Sequence, residues 1–313
     1  MGSNVKILVG LVIYVINPLY SYRGTVPTAR IIMTVALAVK VNEGVILAAD
    51  SAATFFGVDK KSGHRGALKV YQNANKIANL HRKLPVGCVA FGQAGIDKEL
   101  ITTLLKDLRY SLMQVKTQGG LDIDNYTVEE IANRMREFIF EKKYLPAYNN
   151  EDSGPLLGFI IAGYSSGKGL PEVWELSMDQ GKCTGPELRQ KEEDAGCTWN
   201  GEKEPIFRII MGVSQGMPLA LKHLGVPDDE IEPAIMRLHQ ILTVPFINPA
   251  MPLQDAIDLA NFFVDLTIHF CRFKPGAETV GGAIDLAAIT KHEGFKWIQR
   301  KHYYDQVLNP HEV

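Results

Sequence analysis

Residues 34–51 read TVALAVKVNEGVILAADS, and the fold turns on this stretch. Residues 34–40 are rich in short apolar and β-branched side chains, the composition of a strand. Asn42-Glu43-Gly44 supplies a turn, and residues 45–49, VILAA, return as a second strand ending at Asp50. The spacing predicts a β-hairpin. Two more short strands are expected over residues 76–80 and 87–91, parted by a polar, Pro-containing turn. Four strands before any helix is not the alternation of a parallel, doubly wound sheet.

Helical periodicity follows. Ile101, Leu104, Leu105, Leu108 and Leu112 share one face of a helix expected over residues 97–113. Residues 127–130, TVEE, form a capping box, with Ile131, Met135, Phe138 and Ile139 behind it. A second block of strands is expected over residues 157–164 and 172–178. Residues 182–204 are polar and Gly-containing, and read as loop with a strand inside. Two helices over residues 228–242 and 253–270 precede a return to strand over residues 283–290. Two antiparallel sheets with helices on their outer faces would bury all these apolar faces. The fold class expected is therefore α+β, a four-layer αββα sandwich. With no internal repeat and no linker after Thr34, residues 34–313 read as one domain.

Composition narrows the function. The chain has 313 residues, a formal net charge of -2, 46% hydrophobic and 22% charged residues. That balance offers no electrostatic case for nucleic acid or an anionic membrane, and no basic run is interleaved with aromatics. Cys88, Cys183, Cys197 and Cys271 are widely spaced without a CxxC pair, so reduced thiols in a cytoplasmic protein are expected. The histidines form no HExxH or paired pattern, and neither a metal nor a cofactor is assigned. Residues 1–33 stand apart. Lys6 precedes an apolar run over residues 7–16, closed by Asn17-Pro18, which is short for a membrane span. The segment reads as a removable extension, a signal-like segment or a start assigned too far upstream.

Four motifs, in order, carry a resemblance. They are residues 34–51, the lysine of residues 69–72 (KVYQ), residues 90–97 (AFGQAGID) and residues 281–290 (GGAIDLAAIT). Together they resemble the β subunits of proteasomes, within the N-terminal-nucleophile hydrolases. The resemblance implies a threonine peptidase that works through an acyl-enzyme, with Thr34 as nucleophile once it is the first residue. A terminal threonine can use its own α-amine, of ordinary pKa ~7.7–8.0, as the base its hydroxyl needs. By the same resemblance, Lys69 stabilises the threonine oxygen, Asp50 holds Lys69, and the backbone of Gly92 faces the oxyanion. Ala53, Ala67, Tyr71, Ala90 and Ala94 would border a roomy, uncharged pocket for apolar side chains.

Two departures stand out. The family supports its terminal amine from a Gly-Ser-Gly turn, and the nearest match here is residues 212–216, GVSQG, which gives that part to Ser214. Ahead of Gly281, where an aspartate and a serine are usual, stand Glu278 and Thr279. Met33 replaces the glycine of self-cleaving members, so removal of an initiator methionine would itself expose Thr34, as in the simpler bacterial relatives. The implied partners are a peptide or unfolded protein as substrate, a homo-oligomeric ring, and an AAA+ ATPase. Two alternatives remain open: an amidase of the same fold acting on a small molecule, and a non-catalytic ring subunit.

Overall fold

A computed structural model describes residues 34–58, 65–148 and 154–301 of the chain. The expected hairpin is present as β1 (Val35–Val41) and β2 (Gly44–Ala49), antiparallel and in register from Ala36↔Ala49 to Val41↔Gly44. A second hairpin, β3 (Ala53–Val58) and β4 (Arg65–Tyr71), follows. Then come β5 (Ile77–Asn79), β6 (Val86–Gly92), and the short pair β7 (Gly95–Ile96) and β8 (Glu99–Leu100). Helix α1 (Ile101–Leu112) leads to α2 (Val128–Met135), which continues as π-helix over Arg136–Tyr144 and one turn of α-helix, α3 (Leu145–Ala147). One half of the capping box forms: Thr127 Oγ1 accepts from Glu130 N at 3.0 Å, while Glu130 Oε1 accepts from Arg134 Nη2 at 2.9 Å instead of reaching back. Strands β9 (Leu157–Gly163), β10 (Glu172–Asp179), β11 (Lys182–Gln190) and β12 (Gly196–Gly201) come next. Helices α4 (Glu204–Met211), α5 (Met217–His223), α6 (Asp228–Leu242) and α7 (Leu253–Phe273) then precede β13 (Asp285–Thr290) and β14 (Gly294–Gln299).

The protein is a mixed α and β structure with two large antiparallel sheets. One runs β12-β1-β2-β13-β14, the other β11-β10-β9-β6-β5. Side-chain size along β1 and β2 explains how they stack. Val35, Leu37, Val39, Ile46 and Ala48 pack outward with α4 and α7. Ala36, Ala38, Val45, Leu47 and Ala49 face inward, meeting Val89, Phe91 and Ile160 of the other sheet. That second sheet turns Cys88, Leu157 and Ile161 outward to α1 and α2. A strand covered on both faces is apolar throughout, which is why residues 34–40 lack a polar alternation.

Lys40 is the exception in β1, with 1% exposure. Its ammonium donates to the carbonyls of Lys191 at 2.6 Å, Glu192 at 2.9 Å and Asp194, and so closes the turn between β11 and β12. Burial lowers its pKa to about 8.

Several elements differ from the sequence reading. Residues 53–71, where no strand was expected, contain the β3–β4 hairpin. Residues 182–204 hold two strands; β11 is an edge strand with Gly185 and Pro186 inside it, and edge strands tolerate such residues. Helix α5 and the edge strand β14 lie beyond the elements expected. Among the described residues no helix is long and apolar enough to cross a membrane. All four cysteines are unpaired. Residues 1–33 lie outside the described residues.

Candidate active site

The site is built where β1 begins, β2 ends and β5 begins. Thr34 immediately precedes β1 and Asp50 immediately follows β2, so the hairpin register alone brings them together. Thr34 Oγ1 donates to Asp50 Oδ1 at 2.9 Å, and Val35 N to the same oxygen at 3.0 Å. Asp50 is wholly buried and Thr34 is 1% exposed.

The lysine that completes the group is Lys76, not Lys69. Lys76 Nζ lies 2.5 Å from Asp50 Oδ1, with 11% of its side chain exposed. Its carbonyl accepts from Ala90 N at 2.8 Å, which fixes it alongside β6. Lys69 instead stands opposite Phe55 in the β3–β4 hairpin, exposed, its ammonium 5.7 Å from the centre of the Tyr71 ring. The physical reason is the unrecognised hairpin. It consumes residues 53–71 in a separate two-stranded sheet, and only after it does the chain re-enter the main fold at Lys76. The available signal was position: Lys76 opens a strand that the pattern had already marked.

Asp50 is held from both sides. Oδ2 accepts from Ala52 N and Gly281 N, each at 3.0 Å. Five donors on one buried carboxylate offset the cost of removing it from water, because hydrogen bonds to charged groups contribute about 1.5–3 kcal/mol each. Burial pushes the Lys76 ammonium below its ordinary value of 10.5, with Asp50 opposing that shift. Thr34 Oγ1 and Lys76 Nζ share one carboxylate oxygen, so hydroxyl and ammonium are close neighbours.

Behind this group lies a second buried pair that the sequence did not suggest. Lys301 Nζ contacts Asp285 Oδ2 and Ser51 Oγ, and Ser51 Oγ in turn donates to Ala283 O. Ser51 N donates to Gly281 O at 2.9 Å. The 281–285 segment is thereby stitched to Asp50 and Ser51. Thr279 is buried nearby in sequence, whereas Glu278 is exposed.

Ser214 does not reach Thr34. Its hydroxyl donates to Glu204 Oε1 at 2.6 Å and accepts from Arg208 and Gly216 N, closing the turn after α4. The turn that does meet Thr34 is at the end of β12. Glu202 N donates to Thr34 O at 2.7 Å, and Gly201 (φ +92°) approaches so closely that a Cβ would stand 2.0 Å from that oxygen. No serine marked this turn, so it escaped a search for the family's motif.

A cavity of about 560 Å³ opens beside Lys76. Ala53, Tyr71, Ala90 and Ala94 line it, and so does Gly92. The side chain of Ala67 lies outside the described residues. The lining is less neutral than the alanines implied: Lys76 forms part of the wall, with Gln72, Asn73, Asn75 and Gln93 around an apolar floor that includes Phe91 and Ile101. Gly92 has φ +88°, and a Cβ there would fall 2.3 Å from Leu156 O, so only glycine fits.

The buried cysteines offer no rival nucleophile. Burial pushes the Cys88 and Cys197 thiols well up, and that of Cys271 up to about 12. No protein-family model and no curated protein matches this chain.

Proposed function

We propose that this chain is a hydrolase of the N-terminal-nucleophile kind, a threonine peptidase resembling proteasome β subunits, with a four-layer αββα fold. The observation that carries the reading is the convergence of Thr34 Oγ1 and Lys76 Nζ on buried Asp50 at the head of β1.

The chemistry requires Thr34 to be the first residue. Its free α-amine then takes the hydroxyl proton as Oγ1 attacks a peptide carbonyl. Lys76, held charged by Asp50, stabilises negative charge on the threonine oxygen. A backbone donor at Gly92 faces the oxyanion; loss of such a donor typically costs about 2.7–4 kcal/mol in the barrier. The proton passes to the departing amine, leaving an ester on Thr34. Water, deprotonated by the same α-amine, cleaves the ester and restores the hydroxyl. In the chain with Met33 attached, the threonine nitrogen is an amide and cannot act as base. The resemblance alone extends this to a peptide or unfolded protein as substrate, a homo-oligomeric ring, an AAA+ ATPase partner and the cytoplasm.

The test is the N-terminal residue of the active protein, together with peptide hydrolysis by the wild type and by Thr34→Ala. Active protein should begin at Thr34, and Thr34→Ala should be inert while retaining its fold. Full activity from a chain with the Met33–Thr34 bond intact would refute the proposal.

A further inference from the structure

Asn200 pairs in register with Ala36, whose side chain lies in the core between the sheets. Asn200 is only 4% exposed, yet its buried Nδ2 has no hydrogen-bond partner among the described residues. A buried amide left unpaired costs about 1–3 kcal/mol, a cost that an acceptor reaching Nδ2 would offset. It lines a second cavity, of about 260 Å³. That is below the roughly 300–1,000 Å³ of ordinary ligand pockets and suits a single side chain. Phe91 borders both cavities, and Gly201 of the second lies against Thr34 O. Phe91 is thus shared by a cavity with an apolar floor and a polar one, and the polar one reaches the backbone of Thr34 through Gly201.

The charges lining the polar cavity indicate what it would accept. Arg189, 7% exposed, lies between Glu175 and Glu187 at 3.0 Å from each, so its charge is already met. Glu202 lies 3.6 Å from Lys274. With Lys274 counted beside Glu202, the carboxylates of Glu175, Glu187 and Glu202 meet the cations of Arg189, Lys203 and Lys274, a formal balance of zero. A ligand of either charge upsets that balance, and any charged ligand loses its water on entry. A neutral group with both donor and acceptor avoids both costs. A carboxamide offers its carbonyl to Asn200 Nδ2 and its NH₂ to the hydroxyl and carboxylate oxygens that Ser177, Thr184 and the glutamates contribute to the wall. Rotating the Asn200 amide exchanges its N and O, and a ligand carboxamide matches either setting.

We infer that this cavity is a recognition pocket for an uncharged carboxamide, the side chain of a glutamine or asparagine in a chain lying across Thr34. The inference rests on the hydrolase reading for the molecule that carries the carboxamide; binding of the group itself needs no nucleophile.

The test uses the full wild-type chain and three probes, the N-acetyl, N-methylamide derivatives of glutamine, glutamate and leucine. Adding the glutamine probe should shift the Asn200 side-chain NH₂ signals in nitrogen–proton NMR spectra. It should bind at least about tenfold more tightly than the other two, a difference of about 1.4 kcal/mol. Asn200→Leu, similar in volume, should erase that preference, and Lys203→Met should leave it. Tightest binding of the glutamate probe, lost in Lys203→Met, would overturn the inference. So would equal binding of all three, or Asn200 signals that do not move. If Asn200→Leu fails to fold, the wild-type spectra and the three affinities still decide. Loss of turnover in Thr34→Ala reports on the nucleophile and probe binding on the pocket, so either proposal can fail without the other.

Discussion

Replacing Lys76 by methionine removes the only cation in contact with a wholly buried carboxylate among the described residues. Four donors remain on Asp50: Thr34 Oγ1, Val35 N, Ala52 N and Gly281 N. They hold the carboxylate in place without cancelling its charge. Breaking a buried ion pair by removing one partner typically costs about 3–5 kcal/mol, and the surviving hydrogen bonds put Lys76→Met at about 3 kcal/mol. For a domain of this size that lowers Tm by roughly 2–4 °C per kcal/mol. Asp50→Asn leaves the opposite charge buried and should cost a similar amount. The double variant leaves neither charge, so denaturant titrations of the full cycle should give a coupling of about 2–3 kcal/mol. Lys69→Met is the comparison: an exposed side chain away from Asp50 should change stability by less than about 0.5 kcal/mol. Additive losses in the cycle, or equal losses at positions 69 and 76, would refute the assignment of the site lysine.

Two further outcomes follow from the backbone and from Lys40. Gly201→Ala should destabilise the fold by at least about 2 kcal/mol, since positive φ alone costs of order 1–3 kcal/mol and the new methyl would collide with Thr34 O. Gly225→Ala, at φ +85° with open space around it, isolates the φ contribution and should cost less in the same titration. Folded Lys40 releases its proton near pH 8, whereas the unfolded chain keeps it to about 10.5. Between those values the unfolded state binds more protons, so the wild type should gain stability relative to Lys40→Met as pH rises from 8 toward 10.5. Denaturant midpoints at pH 7, 8, 9 and 10 check this.

The parts of the molecule legible in the sequence are those fixed locally. The β1–β2 hairpin, the apolar face of α1 and the cap of α2 each follow from residues a few positions apart. Thr34 and Asp50 were legible for the same reason, being the two ends of one hairpin. Lys76 was not, because several lysines lie between Asp50 and Gly92, and which of them returns to the sheet depends on how much chain the β3–β4 hairpin uses. Asn200, Gly201 and Glu202 carry no motif; their role comes from β12 pairing with β1 across more than half the chain. Lys301 is more remote still, and its contact with Ser51 depends on the order of strands in the sheet rather than on any neighbouring pattern.

That last contact has a consequence for how the protein is made. Asp50 is translated early, but its Gly281 donor and the Lys301 tether of Ser51 are among the last described residues to leave the ribosome. The strand that β2 needs on its far side, β13, is equally late. A nascent chain that has not yet delivered residue 281 has Thr34 and Asp50 in hand, without the clamp that fixes the carboxylate between them. Assembly of this corner therefore waits on residues that follow Asp50 and Ser51 by 231 and 250 positions.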